Sequence, residues 1–269
     1  MSLTIGTGPF GQQPAGRFSF DVPPERLLYV EESPRWIRAR LGGETVVDSR
    51  RPRLLHESGR LPVLYFVESD LRMDLLRPSG KREDDELKGQ ARYWSIEAGG
   101  RVAEDAAWSF DHPQLAGLIA LLWDAMDEWL EEGEQAVKHP RDPFHRLDVR
   151  STPRQVRVSL EDEVLAESSR TKLLFETSLP PRFYFPPEDV TRELLVPSEK
   201  RTVCAYKGAA THYSVRIGQD LEEDLVWTYE QPFHDAAEVR GMFCFYNERV
   251  DLDVDGERWE RPVTGWSRR

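Results

Sequence analysis

The chain has 269 residues, room for two domains of about 100 to 150 residues each, and its 39% hydrophobic content with 8 Trp, 8 Tyr and 12 Phe argues for packed cores and against disorder. With 48 acidic against 36 basic residues the net charge is −12, so most of the surface repels a phosphate backbone and nucleic acid is not an expected partner. No apolar run approaches the roughly 20 residues of a membrane span, and the start MSLTIGTGPFGQQPAGRF has neither a basic nor an apolar leader segment, so a cytoplasmic protein without a membrane partner is expected.

In chain order, residues 1–34 read as an N-terminal extension. Gly42-Gly43 marks a hairpin turn. Over 115–130, LAGLIALLWDAMDEWL sets Leu115, Leu118, Ile119, Leu122, Met126, Trp129 and Leu130 on one stripe of a 3.6-residue period, which predicts a helix. The polar, proline-bearing stretch 133–153 reads as a linker. Beyond it, VRVSL, the acidic turn Glu161-Asp162 and VLAES form a hairpin signature. KLLFE, RFYF, THYSVRI, DLVWTY and VDLDVDG are further strand candidates, rich in aromatic and β-branched residues. PPEDVTRELL has the proline entry and early acids of a short helical turn.

Sliding the chain on itself reveals a repeat. DELKGQARYWSI (85–96) and CAYKGAATHYSV (204–215) share Lys, Gly, Ala and Ser at an offset of 119, the difference between Lys207 and Lys88. The same offset runs without a gap from VVDSRRPRLLHESGRLPVLYF, which starts at 46, through Glu104-Asp105/Glu223-Asp224 and Trp108/Trp227 to Pro113/Pro232. Two copies of one mainly β domain are expected, over 35–132 and 154–269, with the same topology.

In the second copy, ETSLPPRFYFPPEDV, LLVPSEKRTVCAYKG, HYSV, VWTY and FYNERVDLDVDGERWERP together resemble the bacterial family catalogued as domain of unknown function 427, here in tandem. The first copy is a diverged match, with REDDELKG where the family pattern has a cysteine and an aromatic before Lys-Gly. The resemblance implies a compact coiled-sheet fold similar to the β-tent or Mss4-like topology, and no agreed activity. A nucleotidyltransferase label is also attached to the family. Against that label, no Gly-rich phosphate loop occurs. The best acidic row, Asp251, Asp253 and Asp255, is equally a hairpin strand with its polar side in water.

Features kept in both copies serve the fold or a shared site, and those found only in the second are candidates for chemistry. The two cysteines, Cys204 and Cys244, are too few for a disulfide framework or thiolate zinc site, and the six histidines show no ligand spacing beyond a loose His139…His145. No metal or cofactor is expected. The candidate ligand-binding set is Lys207, Tyr206, Tyr184, Arg182, Glu176, Trp227, Tyr213 and Cys204: aromatic walls with a few charged groups, as a small-molecule pocket requires. Lys207 reads either as an anion anchor, whose loss weakens binding without much loss of stability, or as a lysine simply paired with Glu176. The expected partner is a small anionic or aromatic molecule, with a homo-oligomer left open. The alternatives are a structural or interaction module without a ligand, and a nucleotidyltransferase-like enzyme.

Overall fold

A computed structural model describes residues 3–16 and 26–267; positions 1–2, 17–25 and 268–269 lie outside it, among them part of the expected N-terminal extension. The chain divides into two units, 1–142 and 143–269. In the first, the strands are β1 (Leu28–Glu32), β2 (Ile37–Leu41), β3 (Glu44–Ser49), β4 (Arg53–Glu57), β5 (Val63–Val67), β6 (Leu76–Asp85), β7 (Gly89–Ala98), β8 (Arg101–Phe110), β9 (Leu118–Leu121), β10 (Glu128–Glu131) and β11 (Glu134–Ala136). In the second they are β12 (Leu147–Ser151), β13 (Val156–Leu160), β14 (Glu163–Ser168), β15 (Lys172–Glu176), β16 (Arg182–Phe185), β17 (Leu195–Cys204), β18 (Gly208–Ile217), β19 (Asp220–Thr228), β20 (Phe243–Phe245), β21 (Asp251–Val254) and β22 (Glu257–Trp259). Strand β1 falls in the stretch read as an extension, and β11 and β12 in the stretch read as a linker; each pairs within its own unit.

Both units are mainly β, and their topologies coincide. The first has a seven-stranded sheet in the order β1-β4-β5-β9-β8-β7-β6 and a four-stranded sheet β11-β10-β2-β3. Adding eleven to each label gives the second: β12-β15-β16-β20-β19-β18-β17, and the small sheet β14-β13-β21-β22. Alternation sorts the side chains. Val156, Val158, Leu173, Phe183, Val226 and Phe243 join the two sheets of the second unit in one core. Leu174, Tyr184, Ala210, Trp227 and Cys244 form a separate cluster from the opposite face of the large sheet. Short 3-10 turns at Pro187–Asp189 and Arg192–Leu194 stand where the proline-led turn was expected.

The residues kept in both copies have local physical reasons. The two-residue hairpin turns at Gly42-Gly43 and Glu161-Asp162 both adopt positive φ at each position, as the right-handed twist of the flanking strands requires. Ser95 and Ser214 lie where the strand register shifts, and their hydroxyls accept the N–H of Asp105 and Asp224 at 3.2 and 3.1 Å. Both aspartates have positive φ, and each is also held by a serine two strands back in the chain, Ser79 of β6 or Ser198 of β17. The retained serines thus clamp a bulge.

The helix expected over 115–130 is absent. Leu118–Leu121 is strand β9, every residue buried, followed by a 3-10 turn at Trp123–Ala125 and strand β10. The cause is double-sided burial: Ile119 and Leu121 face the inter-sheet core while Leu118 and Ala120 join the opposite cluster. A strand covered on both faces is continuously apolar and imitates a helical stripe. Among the described residues no helix is long and apolar enough to cross a membrane.

Gly89 and Gly208 open β7 and β18 at φ +79° and +93°, and a Cβ there would lie 3.0 Å from the Asp111 carbonyl oxygen or 3.4 Å from that of Gln231. Gly89→Ala and Gly208→Ala should each lower unfolding free energy by about 1 to 3 kcal/mol, measured by urea denaturation, with Gly89→Ala the costlier because its contact is tighter. A change within error would show that these turns tolerate a side chain.

Candidate functional site

In the second unit Glu176 ends β15, and its carboxylate accepts a hydrogen bond from the Lys207 ammonium and meets His145 Nε2 at 3.1 Å. Lys207 belongs to the turn between β17 and β18 at one side of the seven-stranded sheet, whereas β15 lies near the other. In a flat sheet four strand spacings, roughly 19 Å, would separate β15 from β18. A lysine side chain covers about a third of that. The bond therefore exists only because the sheet coils until its sides approach. His145 lies just before edge strand β12, and its ring stacks on Tyr206 of the opposite turn, with centroids 3.9 Å apart. The cluster is a seam that closes the sheet.

The first unit closes in the same way with different residues. Lys88 Nζ donates to Glu57 Oε2 at 2.6 Å, and Arg26, which takes the place of His145 at the offset of 119, donates to Glu57 at 2.8 Å through Nε and to Asp85 at 2.6 Å through Nη2. Asp85 also accepts the backbone N–H groups of Leu87 and Lys88 at 3.0 and 2.9 Å. Burial alone would raise the Asp85 carboxyl, but Arg26, the two backbone donors and Lys88 hold it well below the usual carboxylate range. The second unit substitutes Cys204 for Asp85, Tyr206 for Leu87, and Tyr229 for Phe110.

Around that seam in the second unit, burial likewise opposes ionisation of Glu176, yet the His145 hydrogen bond and the Lys207 charge pull its carboxyl down to about 2. Cys204 is half-buried, and its Sγ receives the Tyr206 N–H at 3.5 Å. Burial drives the Tyr229 phenol well above its ordinary value, with Cys204 and Glu176 adding to the effect. Cys244 is fully buried, and burial pushes its thiol up to about 12, against the pull of Arg182 and Lys207.

Of the expected set, Lys207, Glu176, Tyr206 and Cys204 come together at the seam. Lys207 is buried and ion-paired rather than open at a pocket mouth, so its removal strands a carboxylate and carries a stability cost. Tyr184 and Trp227 lie within the cluster on that face of the sheet, joined by Trp227 Nε1 donating to the Tyr184 hydroxyl at 3.2 Å; Trp108 and Tyr65 repeat that bond at 3.2 Å. Arg182 is buried in a second ion pair, donating twice to Glu248 at 2.7 Å and once to Asn247 at 3.0 Å, with the Trp227, Tyr246 and Trp266 rings around it. Tyr213 lies on the other face against Phe243, away from the seam. Tyr229 and Glu248 escape the sequence reading and His145 enters it only as a loose partner of His139, although the offset of 119 carries Leu28 and Val30 onto Leu147 and Val149, and so Arg26 onto His145.

The acidic row at 251–255 is committed elsewhere. Asp251 and Asp253 pair with Arg258, Asp251 also with Arg261, and Asp255-Gly256 forms the hairpin turn. Among the described residues no group of three or more His, Cys, Asp or Glu side chains is placed to hold a metal ion.

The family profile described as Domain of unknown function (DUF427) matches residues 29–132 and 148–256, one copy in each unit. The chain belongs to this family. No curated protein matches it. The two DUF427 matches cover most of both sheets of each unit, including the Lys88–Glu57 and Lys207–Glu176 pairs, with Arg26 and His145 just ahead of them.

Glu57 retains Arg26 if Lys88 is lost, whereas Glu176 retains only His145 among these charged partners if Lys207 is lost. Lys207→Met should therefore cost about 3 to 5 kcal/mol of stability and Lys88→Met distinctly less, by chemical denaturation. Equal losses would mean that Arg26 does not support Glu57. Because the Glu176 carboxyl is lowered from 4.5 to about 2, its contribution is complete above pH 4.5 and is lost as pH falls toward 2. Glu176→Gln should flatten the acid limb of a stability–pH curve over that window; an unchanged limb would refute the assignment.

Proposed function

We propose that the second DUF427 domain binds a small molecule at the seam formed by His145, Glu176, Lys207, Tyr206, Tyr229 and Cys204, and that the first domain is its scaffold. One observation carries this reading: around the same buried Lys–Glu pair, the first copy is closed by the Arg26–Asp85 ion pair, while the second has an imidazole, a thiol and two phenols there. A buried ion pair by itself is weak evidence of stabilisation. Titratable groups held together in a desolvated, aromatic-walled place are the usual raw material of binding sites. Tyr206, stacked on His145, supplies an aromatic wall at the seam, and the half-buried Cys204 gives the cluster contact with solvent.

A second reading is favoured by the state of the two buried cations. Lys207 and Arg182 already have carboxylate partners, Glu176 and Glu248, which suits a structural module that binds nothing. Ligand-observed NMR of the full chain against a library of small metabolites separates the two. Binding should occur once per chain and weaken at least tenfold in Tyr206→Leu, which installs the first copy's residue, while Leu87→Ala leaves it unchanged. Two equal sites, indifference to Tyr206→Leu, or no binder in the library would overturn the ligand reading in favour of the structural one.

A further inference from the structure

The two copies make it possible to name the class of ligand, an inference that rests on the small-molecule reading of the second domain. In the first domain a carboxylate, that of Asp85, occupies the seam. It is met by Arg26 at 2.6 Å, by the Lys88 ammonium at 3.5 Å, and by the N–H groups of Leu87 and Lys88 at 3.0 and 2.9 Å. Arg26 and Lys88 face the two carboxylates, Glu57 and Asp85, and Arg60 also reaches Glu57 at 3.2 Å. The same donors hold the Asp85 carboxyl low against the effect of its burial.

In the second domain the lysine and the two backbone N–H groups persist, His145 stands in place of Arg26, and the carboxylate is gone. Lys207 makes the same contact with Glu176 that Lys88 makes with Glu57. The turn is preserved, since Gly208 follows Lys207 at positive φ as Gly89 follows Lys88. At the position of Asp85 stands Cys204, whose single sulfur accepts the Tyr206 N–H at 3.5 Å. The Lys207 N–H, whose counterpart bonds Asp85, has no acceptor among the described residues. A neutral thiol is a weak acceptor and cannot serve two backbone donors and an ammonium as a carboxylate does.

We propose that the second domain binds the carboxylate group of a small organic acid beside Cys204, in the position that the Asp85 carboxylate holds in the first domain, with the Lys207 ammonium and backbone N–H as its donors. Asp85 is then an internal copy of the ligand's head group. The remainder of the acid lies against Tyr206 and Tyr229, so aromatic acids are favoured over short aliphatic ones.

The test uses acetate, propionate and benzoate against acetamide, propionamide and benzamide, read as chemical-shift changes of the Tyr206 and Lys207 amides in the full 15N-labelled chain. The acids should give saturable shifts with benzoate tightest, and the matched amides should bind at least tenfold more weakly. Cys204→Asp should abolish the response by supplying the carboxylate from within. Should that variant melt early, His145→Arg/Cys204→Asp rebuilds the complete first-domain set and should recover stability while remaining unresponsive. In the opposite direction, Arg26→His/Asp85→Cys should create a second responsive site at Leu87 and Lys88. Amides that bind as well as acids, with both lost in Cys204→Asp, would sink the carboxylate class and leave the small-molecule site standing. Acids that still bind to either Cys204→Asp variant, or that shift no amide at the seam in the wild-type chain, would overturn the proposal outright.

Discussion

A lysine ammonium buried against a glutamate, formed twice, is the constraint on which both halves of this chain depend. Hydrogen bonding along a sheet fixes neighbouring strands but does not bring its opposite sides together. Lys88–Glu57 and Lys207–Glu176 do so, and each is seconded by a residue placed just before the edge strand, Arg26 or His145. Coiling gives the large sheet an inner face, where Leu174, Tyr184, Trp227 and Cys244 pack out of reach of the inter-sheet core. Two separate clusters in one unit, one on each face of a seven-stranded sheet, follow from that geometry.

The ion pair is also the reason that the site has its chemical character. Bringing charged groups to the closing seam costs desolvation, and the structure offsets it by dense mutual pairing. In the first copy the pairing is complete, with Glu57 receiving Arg26 and Lys88, and Asp85 receiving Arg26, Lys88 and two backbone donors. In the second, Glu176 has two donors and a thiol replaces the second carboxylate. Two sequence changes of charge type, Asp85 against Cys204 and Arg26 against His145, separate the fully paired junction of the first copy from that of the second.

Much of this was legible in the sequence because it is local. Two-residue turns between alternating segments located the hairpins 156–168 and 251–259, and a gapless offset announced two copies with one topology. The lysine and its candidate partner glutamate were readable too, since both recur at the same offset. What could not be read was coiling, which no period of 2 or 3.6 encodes, and hence the meeting of His145 with Tyr206 across sixty residues of chain. His145 was also concealed by its setting, in a polar proline-bearing segment beside a short edge strand that shares only Leu and Val with its counterpart. The false helix at 115–130 has the same root, because a strand covered on both faces by a coiled sheet has lost the alternation that identifies strands.

The seam is also where such a domain can change its chemistry without changing its fold. The Tyr–Trp hydrogen bond on the inner face is kept at 3.2 Å in both copies, around the fully buried Tyr65 and Tyr184. Positions 26, 85 and 110, by contrast, lie at or just before strand ends, and their side chains converge on the pair without being part of the inter-sheet core. As long as the lysine holds its glutamate, closure is maintained and the surrounding positions can accept a guanidinium or an imidazole, a carboxylate or a thiol. The second copy is what results when that freedom is used: the same closed sheet, with its charged neighbours exchanged for an imidazole, a thiol and two phenols.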